Sequence, residues 1–440
     1  MLKNLLVITL ILNLLGLPIS VAAQTKQKVS LLLFGGKVFT ADENYSIAEA
    51  VAVDGEKIVA VGTTNDLKAK YQAAREIDLQ GRLVTPGFND AHIHFVGVGL
   101  ALLRVDLIGS QTLEEAKRRI AAKIKELPKG AWVLGRGWDH TLWNNRLPTR
   151  QDLDSIAPEN PVFLQRVDGH IAWANSLALK MAGVTKDTKA PEGGEIVFDE
   201  KGEPSGVLKE TAQGLVGRIV PQPTAEETLK GIELAVEQAK RYGLTSAQGG
   251  SDYSAIPLYR ELLKNDRLTV RVAVWQNFEE PLDVLKKQRD DFLALKENPA
   301  RLKLGILKGY VDGTLGSRTA AMLAPFSDDP GNSGIPRRAE EEMIKMIVER
   351  DAAGFQIGLH AIGDKANRIA LSGFGTYREQ RPTVGDPSLS NFDRISASKR
   401  HRIEHAQVVA PSDFKKYARL GVIASMQPTH AITDKRWAPD

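Results

Sequence analysis

A parallel α/β barrel behind a small all-β unit is the fold class that this sequence predicts. Three observations carry it. Short strands separated by turn chemistry crowd the first part of the chain. Short apolar strands alternate with helical segments over the remainder. Histidines and a lysine then fall where several of those later strands end, which is where a β/α barrel carries its chemistry.

The segments 29–34, 37–40, 50–53, 57–61 and 77–79 read as strands, broken by Gly35-Gly36, Asp54-Gly55 and Gly62-Thr63-Thr64-Asn65. Such a unit is small for independent stability. Segments 113–127 and 224–242 have helical periodicity. Apolar strands are expected at 244–248, 270–275, 304–307, 355–359, 402–403 and 422–425, a number that suggests a barrel more than an open sheet. Residues 131–220, with their Trp, Gly and Pro, break the rhythm and read as an insertion over one face.

Composition narrows the function classes. The chain has 440 residues, 42% apolar and 25% charged, ordinary values for a globular protein. A net charge of +4 with no basic stripe argues against a nucleic-acid partner. There is no cysteine, so disulfides, thiolate ligands and Cys nucleophiles are excluded and His, Asp, Glu and Lys are left to carry the chemistry. Lys3, an apolar run over 5–17 interrupted only by Thr9 and Asn13, and Val21-Ala22-Ala23 read as an export signal over residues 1–23. This predicts a secreted or periplasmic protein. The competing reading, an uncleaved anchor, has a short and interrupted apolar run, and no later segment is a membrane span. An oligomer is compatible with the sequence.

The stretch Leu83-Val84-Thr85-Pro86-Gly87-Phe88-Asn89-Asp90-Ala91-His92-Ile93-His94 is the most telling. In extended backbone His92 and His94 project to one face and offer two imidazoles to one point, a donor set suited to a divalent transition metal. Two surface histidines are the bland alternative. Lys308 lies in Leu304-Gly305-Ile306-Leu307-Lys308-Gly309-Tyr310, where burial would favour its neutral amine. That amine can take up carbon dioxide as a carbamate; the alternative is a lysine that snorkels to solvent. His360 and His405 end the strands 355–359 and 402–403. Either alone could be a core histidine, but all the candidates share one end of their strands. His140, His401 and His430 lack that placement and read as surface or rim residues. Asp168-Gly169-His170 and Gly135-Arg136-Gly137-Trp138-Asp139 lie in the insertion. Asp168, His170 and Trp138 are candidate substrate contacts, against a capped turn and simple packing as alternatives.

This ordered set resembles the amidohydrolase superfamily, and more closely its family 3 branch, which includes N-substituted formamide deformylases. The resemblance rests on Pro-Gly-Phe-x-Asp-Ala-His92-x-His94, Asp168-Gly169-His170 with Asn175-Ser176, and Leu307-Lys308-Gly309-Tyr310-x-Asp312-Gly313. It continues through Thr319-Ala320, His360-Ala361-Ile362-Gly363-Asp364, Arg402-Ile403-Glu404-His405 and Met426-Gln427-Pro428. It implies a metal-dependent (β/α)8 TIM-type barrel over residues 82–440 and a small β-sandwich whose first part is 24–81. It also implies zinc, one or two ions, with His92 and His94 on one, His360 and His405 on the other, and carboxylated Lys308 between them. An activated water would then attack a small amide-type substrate at a carbon–nitrogen bond other than a peptide bond.

One departure stands out. The family pattern has a catalytic aspartate after the eighth strand, commonly in Gly-Ser-Asp, whereas this sequence ends at Asp440 soon after the expected seventh strand. Asp434 and Asp440 follow no apolar strand. The expectation is therefore a barrel with its last strand and that aspartate missing, poorly soluble and inactive as a 440-residue chain. A deaminase on the same scaffold, or an impaired paralogue that only binds a small ligand, are the alternatives.

Overall fold

The structure is a computed structural model that describes residues 25–167, 169–191, 194–250, 252–379 and 399–434. The export signal expected over 1–23 lies outside them. The chain divides into two compact units between Gly87 and Phe88.

The first unit holds seven strands: β1 (Gln27–Phe34), β2 (Lys37–Phe39), β3 (Ile47–Ala48), β4 (Ala50–Asp54), β5 (Lys57–Gly62), β6 (Tyr71–Asp78) and β7 (Leu83–Val84). They form a four-stranded sheet of order β5-β4-β1-β6 and a three-stranded sheet of order β3-β2-β7. Val38, Val51 and Leu79 pack with Leu33, Ala48, Val53 and Val84, joining residues of both sheets. The other face of the larger sheet covers the helix Thr64–Lys70, whose first turn is capped by Thr63 Oγ1 accepting from Asp66 N. Two expectations need correction. β6 begins at Tyr71 rather than residue 77, because as an edge strand it carries exposed Gln72, Arg75 and Glu76 that mask its period. Leu83–Val84 belongs to this unit, not to a barrel starting at residue 82, because it pairs in parallel with β2.

The second unit begins with β8 (Phe88–Asp90). Before the chain returns to that sheet it builds a separate one: β9 (Val105–Asp106), β10 (Val133–Trp138), β11 (Val162–Arg166), β12 (Ile171–Ala174), β13 (Gly194–Phe198) and β14 (Pro204–Glu210), in the order β13-β14-β12-β11-β10-β9. The inserted sheet thus starts at Val105, upstream of the expected residue 131. The helix Leu113–Ile124 belongs to it, since Ala116 and Ile120 pack with Val105, Leu107, Val133 and Trp138.

The remaining strands are β15 (Leu244–Gly249), β16 (Arg271–Asn277), β17 (Leu302–Tyr310), β18 (Ile357–Ala361), β19 (Arg402–His405) and β20 (Ile423–Ser425). With β8 they make a seven-stranded sheet of order β20-β19-β18-β17-β16-β15-β8, every pair parallel. Helices connect the strands, as parallel pairing requires. The longest, Ala225–Arg241, starts in a Thr224–Glu227 capping box and buries Ile232, Ala235, Val236 and Ala239. Alternation along the strands sorts their side chains: Leu307, Ile357, Leu359, Ala361 and Ile403 join the helix-facing core, and Lys308, His360, Arg402 and Glu404 take the opposite face. The sheet is curled. Its edge strands β8 and β20 stand six places apart in order, yet Gln427 Nε2, just past β20, lies 3.2 Å from His92 Nδ1, just past β8. Among the described residues no helix is long and apolar enough to cross a membrane.

Candidate functional site

The two edges of the curled sheet meet at the carboxyl ends of its strands, and the candidate site lies there. Asp90 Oδ1 accepts from His92 N at 3.1 Å, turning the chain out of β8, and Ile93 N donates to Gln248 O of β15 at 3.0 Å. Glycine is required opposite this turn: a Cβ on Gly249 would stand 1.7 Å from Ile93 O. His94 then opens the helix Phe95–Leu102.

Three imidazoles gather. The ring centroids of His92 and His405 are 5.1 Å apart, those of His360 and His405 4.6 Å, and His94 stands 6.0 Å from His92. His405 reaches this group through strained backbone. A regular strand would send it to the face of Ile403, but His405 and Ala406 adopt φ of 74° and 43°, left-handed values that cost non-glycine residues on the order of 1–3 kcal/mol each. Such strain collects at functional sites.

Each of the three gathered rings has one nitrogen engaged. His92 Nδ1 lies 2.8 Å from Glu404 Oε2, His405 Nδ1 lies 2.7 Å from Gln427 Oε1, and His360 Nε2–H donates to Gly313 O at 2.8 Å. Metal-bound histidines characteristically hand their second nitrogen to such an acceptor. Burial lowers the basicity of two of these rings, to about 4 for His360 and about 3 for His405, with the positive charge of Lys308 adding to the effect. His94 is lowered in the same direction, by burial and then by His92 and Lys308. His94, His360 and His405 are thereby held toward the neutral form, the one that can ligate a metal.

Lys308 is 2% exposed, with Nζ 5.0 Å from the centre of the Tyr310 ring and 5.8 Å from that of Trp275. Burial brings its pKa down to about 8, with Glu404 opposing the fall and Arg402 adding to it. Asp312 is fully buried and accepts from Ala321 N, Ile362 N and Gly363 N at 2.9, 3.0 and 2.8 Å. It braces the turn after His360, whose Nε2 is 3.6 Å from Asp312 Oδ1. Among the described residues no three His, Asp or Glu side chains already converge on one point as a metal-ligand set.

Other candidates are placed elsewhere. Trp138 is fully buried, donates from Nε1 to Leu164 O at 2.9 Å and packs against Trp143 and Trp173, so it is core of the inserted sheet and not a substrate contact. Its strand position, at the end of β10, turns it inward. His170 is well exposed and pairs with Glu210, Nδ1 to Oε2 3.0 Å. Asp168 and Asp440 lie outside the described residues. His401 is no surface residue: it is buried, accepts from Ile357 N at 3.1 Å, meets Asp351 at 3.2 Å and stacks on Phe374. His430 stacks on His405 at 5.5 Å, and Gln407 joins it to Asp434.

Sequence reasoning quoted Arg402, Glu404 and Gln427 only as parts of motifs and gave them no role. The available signal was a charged pair two residues apart in a buried strand, Arg402 and Glu404, which must share one face and there neutralise each other.

A curled parallel sheet with neutral imidazoles and a buried lysine at its carboxyl ends defines a barrel-type α/β protein with a polar site in the usual place. The comparisons name the group. The chain belongs to the amidohydrolase family, whose model matches residues 75–440. It is 32% identical to Protein LONG AFTER FAR-RED 3 of Arabidopsis thaliana over 92% of this chain and 69% of that protein. It is 28% identical to the N-substituted formamide deformylase of Arthrobacter pascens, over 90% of this chain and 72% of the relative. Among solved structures, an uncharacterized metal-dependent hydrolase from Pyrococcus furiosus superposes with a TM-score of 0.70 at 27% identity, covering 92% of this chain and 78% of its own.

Proposed function

We propose that this protein is a divalent-metal hydrolase of carbon–nitrogen bonds in small amide-type substrates. The observation that carries the reading is the set of three imidazoles, each with one nitrogen held by an acceptor, beside a buried lysine of lowered basicity. The pairs that would share an ion, His92 with His94 and His360 with His405, have ring centroids 6.0 and 4.6 Å apart, either side of the roughly 5 Å that two imidazoles on one zinc would take. The donors therefore fit zinc with small side-chain adjustments. In this reading His92 and His94 would hold one ion and His360 and His405 a second, and Lys308, as a carbamate, would add an anionic ligand. Bound there, zinc supplies Lewis acidity, polarising the amide carbonyl and acidifying water toward neutrality.

The chain's own groups set the stage for that. The neutral Lys308 amine would add to carbon dioxide, forming an N–C bond and releasing one proton to solvent, so that a neutral amine becomes an anionic ligand. Trp275 and Tyr310 keep bulk water from it. Gln427 orients His405, and Gly313 O orients His360. The relatives' names, a formamide deformylase and a metal-dependent hydrolase, agree with this chemistry. The export signal expected over residues 1–23 supports, within this proposal, a substrate met outside the cytoplasm.

The test is hydrolysis of a panel of N-formyl and N-acyl amines by purified protein, before and after chelation and zinc readdition. Carboxylate and amine should appear together, disappear with chelator and return with zinc. Ammonia released from amidine-bearing rings without carboxylate would assign a deaminase instead. Hydrolysis that survives complete metal removal would overturn the reading.

A further inference from the structure

We infer that Glu404, braced by Arg402, is the positioning residue that fixes the ring and tautomer of His92. The inference rests on the metal-site reading above and adds to it the group that aims one ligand.

Glu404 is fully buried and Arg402 6% exposed. Arg402 Nε stands 2.7 Å from Glu404 Oε1, and an Arg402 terminal nitrogen 3.0 Å from Glu404 Oε2. The guanidinium does more than neutralise the carboxylate. It donates to Ala91 O at 2.7 Å, to Ser425 Oγ at 2.9 Å and to Gln248 Oε1 at 3.2 Å. One side chain of β19 thus grips the residue before His92, strand β15 and strand β20. Trp275 packs over it, with its ring centre 5.4 Å from the guanidinium carbon. A Cβ on Gly358 would meet Ile306 Cδ1 at 2.1 Å and come within 3.1 Å of Glu404 Oε1, so the glycine makes room chiefly for Ile306 and also for the carboxylate.

The carboxylate so held has no freedom of its own, and its Oε2 meets His92 Nδ1 at 2.8 Å. An ionised carboxylate only accepts hydrogen bonds, so Nδ1 must carry the proton and Nε2 the lone pair. Gln427 Nε2, 3.2 Å from the same nitrogen, is a donor and cannot bond a protonated Nδ1; it has Ser425 O at 3.4 Å instead, and the shorter, charged Glu404 contact decides the tautomer. Fixing Ala91 O and Nδ1 together leaves the His92 ring one orientation, with Nε2 available for a metal. A pair that served only to tie strands together would have no need of the third contact, from Glu404 to the imidazole.

The test compares zinc affinity, by competition with a chelating chromophore, in wild type, Glu404→Gln and Glu404→Asp. Loss of an outer partner to a metal-bound histidine typically costs about 10–100-fold in affinity. The glutamine variant should show that loss on a metal-free protein that still unfolds cooperatively, at a lower midpoint because Arg402 loses its anionic partner, and the aspartate variant should recover part of the affinity. If Glu404→Gln does not fold, the double variant Arg402→Met/Glu404→Gln, which removes both buried charges, carries the comparison. Zinc affinity equal to wild type in the folded variant would overturn the inference and leave the metal site standing. Wild type that takes up no zinc would overturn both.

Discussion

Lys308→Ala is expected to lose more than about 100-fold in zinc affinity, since it removes the proposed bridging ligand itself and not merely an outer partner. The physical reason begins in β17. Alternation turns Lys308 to the face opposite Leu307, into the curled sheet, where it is 2% exposed beside Tyr310 and Trp275, with Glu404 and Arg402 acting on its charge. A protonated amine there would repel metal cations; a carbamate would attract them. The pKa of about 8 sets the window. Below it most of the amine is protonated and cannot add to carbon dioxide, and above it the nucleophilic form dominates. Metal loading should therefore need dissolved carbon dioxide or bicarbonate and proceed faster above pH 8 than at pH 7. Short carboxylates such as formate should partly restore metal to the alanine variant by filling the vacated space. The check is elemental analysis of wild type and variant, with 13C-labelled bicarbonate to report the carbamate carbon by NMR. Full metal content in Lys308→Ala, without added carboxylate, would remove the lysine from the site.

Acid should unfold the metal-free protein well above the pH at which its carboxylates alone would require it. His360 and His405 titrate at about 4 and about 3 in the fold, against 6.5 in the open chain. Between those values the unfolded state binds more protons, so stability falls with pH, starting near 6.5 and continuing until the folded values are passed. Glu404 acts in the same direction lower down. Burial alone would raise its pKa, but His92 and Arg402 outweigh this and hold it at about 2, against 4.5. Its contribution is present above about 4.5 and is lost as pH falls toward 2. The combined loss is on the order of several kcal/mol, a large part of the ~5–15 kcal/mol that typically holds a domain. Circular dichroism of chelator-treated protein should show its unfolding midpoint between pH 6 and 4, and zinc should shift it to lower pH by mass action. Stability that is level from pH 7 to 4 would show that these rings are not buried as described.

Much of the site was legible before the fold. His92, His94, Lys308, His360 and His405 were found by asking which polar residues sit where apolar strands end, and that question works because β/α strands point one way. What escaped was set by contacts between strands distant in sequence. Trp138 looked like a pocket residue because its neighbours Gly135, Gly137 and Asp139 resemble loop chemistry. In the fold these glycines lie in a strand crowded by neighbours: a Cβ on Gly135 would meet Val105 O at 2.6 Å. His401 has no local sign of burial; its partners, Asp351 and Phe374, lie on other elements. The helix Leu113–Ile124 has the period of any amphipathic helix, which says that it covers a sheet but not which one. Glu404 required knowing that β19 and the His92 turn meet across the curled sheet.

The most direct test of the central claim, that these side chains form one metal site, is a titration of chelator-treated protein with Co2+ followed by visible absorption. Wild type is predicted to develop ligand-field bands that saturate at one or two equivalents, reporting nitrogen and oxygen ligands in low-symmetry geometry. His92→Ala/His94→Ala should lose at least one equivalent while remaining folded. Bands of equal intensity and stoichiometry in wild type and the double variant, or none in wild type, would contradict the account.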